Sequence, residues 1–473
     1  MTDQPPLPQT LWDTLLPEAQ AAVTAVVQSL EQRIAELEER LNKNSTNSSK
    51  PPSSDPPSVK RRPPAPTSGK KRGGQPGHRH QQRALVPPEQ LRQVFEIKPP
   101  ECRFCGEALQ GDDPEPIRHQ VAEVPPVQPM VDEYRLHRLT CPHCRTSTCA
   151  VLPPGVPTGA FGPRLRAILS VLAGGYRLGK RPIRQLVFDL LGLTISTGMI
   201  CRLERQSATE LAAPVEELRQ YVRDASVAHI DETSWWQGQD KAWLWGAVTK
   251  LVTVFTIATS RKAEVAKDIL GTARRKVVIC DRFKGYVWIK RRQFCWAHLD
   301  RDFQAMIDRG GVSAEVGRLL LGHSEQLFDW WHRVRDGTMA RATFRSHVAL
   351  MRFSFREDLR RGVVSGCAKT AGTCRELLSG ETHLWTFVRV EGVEPTNNDA
   401  ERALRHGVIY RKTSGGTDSE AGSRFVERML SVVATCRQQN INVLDYLTRC
   451  YQTQLDGQQA PSLLPAVSEA QVT

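Results

Sequence analysis

The chain has 473 residues, too many for one small core, and its 40% hydrophobic content suffices for roughly two to four domains. Lys and Arg outnumber Asp and Glu by 64 to 51, and the formal charge of +13 favours a polyanionic partner while saying nothing about fold. No apolar run approaches the ~20 residues that a bilayer span requires, and the acidic, Pro-rich start is unlike a secretory signal. A cytoplasmic protein with no membrane partner is therefore expected. Its 12 cysteines then read as metal ligands or packed thiols, not as a disulfide framework.

Residues 21–42 carry a heptad stripe of Val23, Val27, Leu30, Ile34, Leu37 and Leu41. A leucine-zipper-like helix over residues 1–45 would support homo-oligomers, although the stripe equally suits a helix packed on its own protein. Residues 46–90 are rich in Pro, Ser, Gly and basic side chains, with little to bury, and read as a disordered basic linker. Lys70, Lys71 and Arg72 in it could grip phosphates through counterion release.

Residues 91–152 hold two CxxC pairs, Cys102/Cys105 and Cys141/Cys144. Two such turns can supply four thiolates to a tetrahedral, structural zinc, as in a zinc ribbon. Cys149, His137 and His143 leave the ligand set open. Residues 160–223 are helical in pattern. There Gly192 at a turn, and Ser196 or Thr197 as N-cap, suggest a helix-turn-helix-like DNA-binding region.

From residue 226 the period becomes that of strands. The runs ending in HIDET, KAWLWGAVTK, LVTVFTIATS and KVVICD, with a helix before the last, predict a mixed α/β sheet over 226–450. Residues 304–385 read as a helical insertion and 396–450 as a closing helical stretch. The tail, 451–473, is expected to be loose.

Three carboxylates stand out by position. Asp231 ends one strand-like run and Asp281 another. Glu401 lies in a helix that Thr396 and Asp399 resemble a capping box in opening. Aspartates at neighbouring strand ends, joined by a helical glutamate, can hold two divalent ions for phosphoryl transfer, and hard oxygen ligands select Mg²⁺ or Mn²⁺. Singly, each is equally a turn residue or a solvated helix position. Asn397, Glu401 and Arg405 recur every four residues, so the helix could flank its carboxylate with DNA-contacting groups. Arg402, Arg411 and Lys412 extend that basic surface. Cys295 and His298, in CWAH, form half a metal site without an obvious second half. His298 is read as reaching towards phosphate or structuring the site's floor, and most of the tryptophans as core.

At these residues the sequence resembles the transposases of the insertion sequence 66 family. The resemblance rests on the zipper-like start, Asn-Ser-Ser-Lys-Pro-Pro-Ser at 47–53, GKKRGGQPGH at 69–78, the CxxC knuckles, HIDET, CDRFKGY, CWAH, NNDAERALR and the RKTSGG stretch. It implies an RNase H-like core with a DDE triad, carried over to Asp231, Asp281 and Glu401. It also implies recognition of terminal inverted repeats and target DNA, metal-dependent cleavage and strand transfer, possible element-encoded helper proteins, and a bacterial, nucleoid-associated location. Leu299-Asp300 after CWAH, Thr396 before Asn397, and the missing Gly after Cys144 depart from the family's pattern. The alternative is a zinc-ribbon, helix-turn-helix regulator whose core is inactive.

Overall fold

The computed structural model describes residues 7–48, 55 and 84–464, so most of the basic linker, with Lys70, Lys71 and Arg72, lies outside the described residues. The chain divides into two units: residues 60–130, and residues 1–59 together with 131–473.

Within 60–130 the described chain is mostly extended, with one short turn at Pro88–Gln90 and one knuckle. In that knuckle the Cys102 amide donates to Glu107 O at 2.9 Å and the Gly106 amide to Cys102 O at 2.9 Å. Gly106 takes φ +74°, the left-handed conformation that a missing Cβ permits.

The larger unit opens with α1 (Gln9–Trp12) and α2 (Pro17–Asn42). Leu30, Ile34, Leu37 and Leu41 of the α2 heptad stripe are exposed. A second knuckle joins β1 (Arg138–Thr140) to β2 (Ser147–Cys149), an antiparallel pair. The Cys141 amide donates to Thr146 O at 2.9 Å there, and the Arg145 amide to Cys141 O at 2.8 Å. Arg145 replaces the usual glycine and holds φ +60°, a strained choice for a side chain with a Cβ.

Four helices follow: α3 (Pro163–Ser170), α4 (Lys180–Leu191), α5 (Thr197–Glu210) and α6 (Ala212–Asp224). Gly192 closes α4 at φ +64°, and Ser196 Oγ caps α5 by accepting from the Met199 amide at 3.1 Å. Helix α5 turns Ile200, Leu203 and Ala208 inward and Arg202 and Arg205 outward.

The sheet then forms from β3 (Val227–Gln237), β4 (Asp240–Val248), β5 (Thr253–Ala258), β6 (Val277–Cys280) and β7 (Arg292–Phe294), in the order β5-β4-β3-β6-β7. The first three pair antiparallel; β6 runs parallel to β3, and β7 parallel to β6. Helix α7 (Ala263–Leu270) lies between β5 and β6 in sequence. The fold is thus a mixed α/β architecture around one five-stranded sheet. Trp235 and Trp245 are fully buried in its core, whereas Trp236 is exposed.

Beyond β7 come α8 (Trp296–Asp308), α9 (Gly311–Arg335), α10 (Arg341–Val363), α11 (Ala368–Ser379) and the short α12 (Thr386–Arg389). They close a second core around Trp296, Phe303, Phe355 and Trp385. The last turns of α2 rest on this block, where Glu39 pairs with Lys369 and, at 3.8 Å, with Arg309. The chain then returns to the sheet as α13 (Asn398–Ser414), α14 (Glu420–Gln438) and α15 (Val443–Leu455).

Both sheet edges are covered. Along β5 the amides of Thr253, Phe255 and Ile257 donate to Thr435 Oγ1, Ser431 Oγ and Glu427 Oε2 of α14, at 3.1, 2.8 and 2.9 Å. The match is metric: alternate strand amides lie about 6.7 Å apart, and four helical residues rise about 6 Å. On the other edge, β7 is three residues long, and Thr386 Oγ1 donates to Arg292 O at 2.6 Å.

Residues 451–464 differ from the loose tail expected. Tyr451 and Leu463 are buried, the Tyr451 hydroxyl donates to Ser170 Oγ at 3.0 Å, and the Tyr446 hydroxyl to Pro461 O at 2.9 Å. Two large apolar side chains buried at the end of a polar segment are enough to hold it down.

Candidate active site

Sheet register brings the two aspartates together. In the parallel pair, His229 lies opposite Ile279, so Asp231 and Asp281, two residues further on, reach the same level of neighbouring strands. Strand β6 ends at Cys280, which leaves a gap beside β3 that no strand fills. The Asp281 carboxylate accepts from the Phe283 amide at 2.9 Å, a local turn that fixes its direction.

Glu401 arrives on the first turn of α13, and Asn397 fixes where that helix begins. Asn397 is 0% exposed. Its Nδ2 donates to Ile230 O at 2.8 Å, next to Asp231, and its backbone amide donates to Cys295 Sγ at 3.1 Å. Its Oδ1 lies 3.2 Å from His229 Nδ1. Further along, a Cβ on Gly407 would sit 2.1 Å from Leu244 Cδ2, so glycine there lets α13 lie close on β4. Near the far end, Arg411 Nη1 donates to Thr233 Oγ1 at 3.3 Å and to Ser234. The helix that carries Glu401 is therefore clamped to β3 at both ends.

These contacts correct three expectations. Helix α13 opens without a side-chain cap bond, so Thr396 and Asp399 form no capping box. Asn397 is not at a DNA-facing surface, because its amide is spent inside the fold. Arg411, half-buried, is likewise occupied by β3. Arg402, Arg405 and Lys412 remain exposed, with Arg402 3.4 Å from Asp399.

Burial dominates the electrostatics. Asp231 keeps some access to solvent, yet its carboxyl is pushed well above the usual aspartate range, first by desolvation and then by Glu232, Asp281 and Glu401. Desolvation also raises Asp281. Three carboxylates that repel one another in a poorly hydrated gap are a donor set suited to a hard divalent cation. Glu401 Oε1 supports that fit, being buried without a hydrogen-bond partner.

The CWAH segment forms one wall. Cys295 Sγ, His298 and Glu401 bring their ligand atoms within 4.8 Å of one another. His298 Nδ1 stands 3.5 Å from Glu401 Oε1, and Arg301 Nη2 stands 3.6 Å from Glu401 Oε2. Burial, followed by Arg301 and Arg282, lowers the His298 pKa to about 4, so the ring is neutral at pH 7 and is no cation for a phosphate. This corrects the phosphate-binding expectation for His298.

Sequence reasoning missed Glu232. It is buried, accepts from Arg261 Nε at 2.8 Å, and takes the Tyr286 hydroxyl. Period-two alternation along β3 was the available signal, since it turns Glu232 to the face opposite Asp231. The residue thus ties β3 to the segment after Asp281.

A family model described as the IS66 family of transposases matches residues 159–424, more than half of the chain. That span takes in Asp231, Asp281 and Glu401 and leaves out both cysteine pairs. A second model, a family of unknown function (DUF6444), matches residues 3–84. An uncharacterized protein of Sinorhizobium fredii, y4qI, is 24% identical over 397 residues, covering 76% of this chain and 72% of its own.

Proposed function

Because this chain belongs to the IS66 family of transposases, we propose that it binds the terminal inverted repeats of its element and performs metal-dependent DNA cleavage and strand transfer. One observation carries the reading: Asp231, Asp281 and Glu401, far apart in sequence, share a gap in which the first is perturbed by the other two. The strand order, three antiparallel strands followed by two parallel ones, supports an RNase H-like core.

In this reading the three carboxylates hold Mg²⁺ or Mn²⁺. When bound, the ion lowers the pKa of the attacking water or 3′-hydroxyl and stabilises the leaving oxygen. In cleavage a water oxygen bonds to phosphorus as the P–O3′ bond breaks; in transfer the freed 3′-hydroxyl attacks a target phosphodiester. Asn397 and Arg411 keep Glu401 in register with the aspartates throughout, and Arg402, Arg405 and Lys412 offer phosphate contacts on the exposed face of α13.

We assign the remaining regions to assembly and DNA binding. The exposed stripe of α2 serves homo-oligomerisation, the basic linker and α3–α6 bind DNA, and Cys102, Cys105, Cys141 and Cys144 take a structural zinc. Among the described residues no helix is long and apolar enough to cross a membrane.

The test is cleavage of a DNA fragment carrying the element's end, with Mg²⁺ or Mn²⁺, comparing wild type with Glu401→Gln. Nicking by wild type, with a variant that binds but does not cut, supports the assignment. Equal cutting by both removes Glu401 from the site.

A further inference from the structure

CWAH supplies half of a metal site, and the fold supplies the rest. Cys295 is the N-cap of α8 and His298 lies one turn in, so the two side chains project from the same side of the helix start. Glu401 reaches the same point from α13, a hundred residues later. Three donors of different chemistry, a thiol, an imidazole and a carboxylate, thus lie within 4.8 Å of one another.

Two of these donors have nothing else to do. His298 Nδ1 and Glu401 Oε1 are both buried and both without a hydrogen-bond partner. Their 3.5 Å separation is too long for a good hydrogen bond. It is close to the edge between nitrogen and oxygen ligands of tetrahedral zinc, about 3.4 Å for bonds of ~2.0–2.1 Å. Unsatisfied buried polar atoms are costly in a native fold unless a ligand completes them.

We infer that Cys295, His298 and Glu401 form a second cation site, selective for a thiophilic divalent ion such as zinc, and that filling it competes for Glu401. Binding would release the Cys295 thiol proton to solvent and leave sulfur, nitrogen and one carboxylate oxygen on the ion, with an open position for water. Sulfur and nitrogen donors exclude Mg²⁺ here, just as the all-oxygen aspartate pair favours it. Glu401 therefore stands between a hard site and a soft one. The soft site is independent of the transposase reading, whereas its effect on cutting, a brake applied by zinc, rests on it.

The experiment counts tightly held zinc per chain in the full-length protein. Samples are dialysed against zinc with magnesium in excess, and wild type is compared with Cys295→Ser and His298→Gln. Circular dichroism checks that each variant remains folded. The expected result is one zinc fewer in each variant than in wild type, with the remaining zinc unchanged. Equal counts in all three proteins, or a loss confined to Cys295→Ser, would overturn the site. Cutting of an element-end substrate is then followed as zinc is added. If the zinc counts behave as expected but wild type never cuts, the cation site stands and the transposase reading fails.

Discussion

The sheet gap and the cysteine knuckles both call for metal, but they are built in opposite ways. Around the gap, Trp235, Trp245 and Ile230 are fully buried, and the carboxylates sit on strands and a helix that packing already holds. Around the knuckles the apolar side chains face water: Phe104 is 100% exposed, and Ile117, Met130 and Val131 are nearly so. Each knuckle is held by its own backbone hydrogen bonds. An ion at the gap would be a guest in a finished fold. An ion at the knuckles would take the place of a core that is absent, so that binding energy becomes folding energy.

That contrast can be broken at several points. The largest effect should follow loss of the knuckle zinc, since structural zinc contributes on the order of 10 kcal/mol in small domains. A strong chelator, or Cys141→Ser, should make residues 91–152 readily cleaved by protease while the main melting transition stays in place. A transition that collapsed as a whole would erase the distinction.

Next comes Asp231→Asn. It should lower cutting by roughly 10²–10³-fold or more, the scale of one lost transition-state electrostatic contact. The melting temperature should hold or rise, because the amide removes a buried charge. A variant that both unfolds and stops cutting would show that the aspartate is part of the scaffold.

Asn397→Ala should cost about 1–3 kcal/mol, leaving Ile230 O unsatisfied and loosening the start of α13. Denaturant midpoints would measure this. Cutting should fall as well, with all three carboxylates intact.

The pH dependence sharpens the same point. Asp231 is raised in the folded state, so its favourable contribution is complete below the unfolded aspartate pKa of about 3.9 and is lost as pH rises through the folded value. Metal-free protein should therefore lose stability between acid and neutral pH. Mg²⁺ should raise the melting temperature more at pH 8 than at pH 5, and Asp231→Asn should abolish that difference. The smallest effect belongs to Arg402→Ala, which should reduce the slope of log affinity against log salt by about 1 without changing stability.

What could be read from the sequence follows the range of the interactions involved. Asp231 and Asp281 stood out because each follows a short β-branched run, a local pattern. Glu401 stood out through the residues around it. The job of Asn397 was illegible, since a polar residue before a helix reads as a cap, and its true partner, Ile230 O, lies 167 residues away. Arg411 misled for the same reason: a basic residue near a helix end suggests phosphate, but Ser234 takes it. Glu232 and the buried Tyr451 likewise depend on packing that no local window contains.

The edge of β5 has a consequence for how copies of this chain can meet. Strands with bare amides recruit other strands, and a long, open edge invites end-to-end polymers and amyloid-like stacking. Here α14 answers the outward amides of Thr253, Phe255 and Ile257 with its own hydroxyls and a carboxylate, and β7 is too short to template anything. A protein that must gather at high local concentration on paired DNA ends thereby avoids aggregating through its sheet, and self-association is left to helices and to the DNA itself.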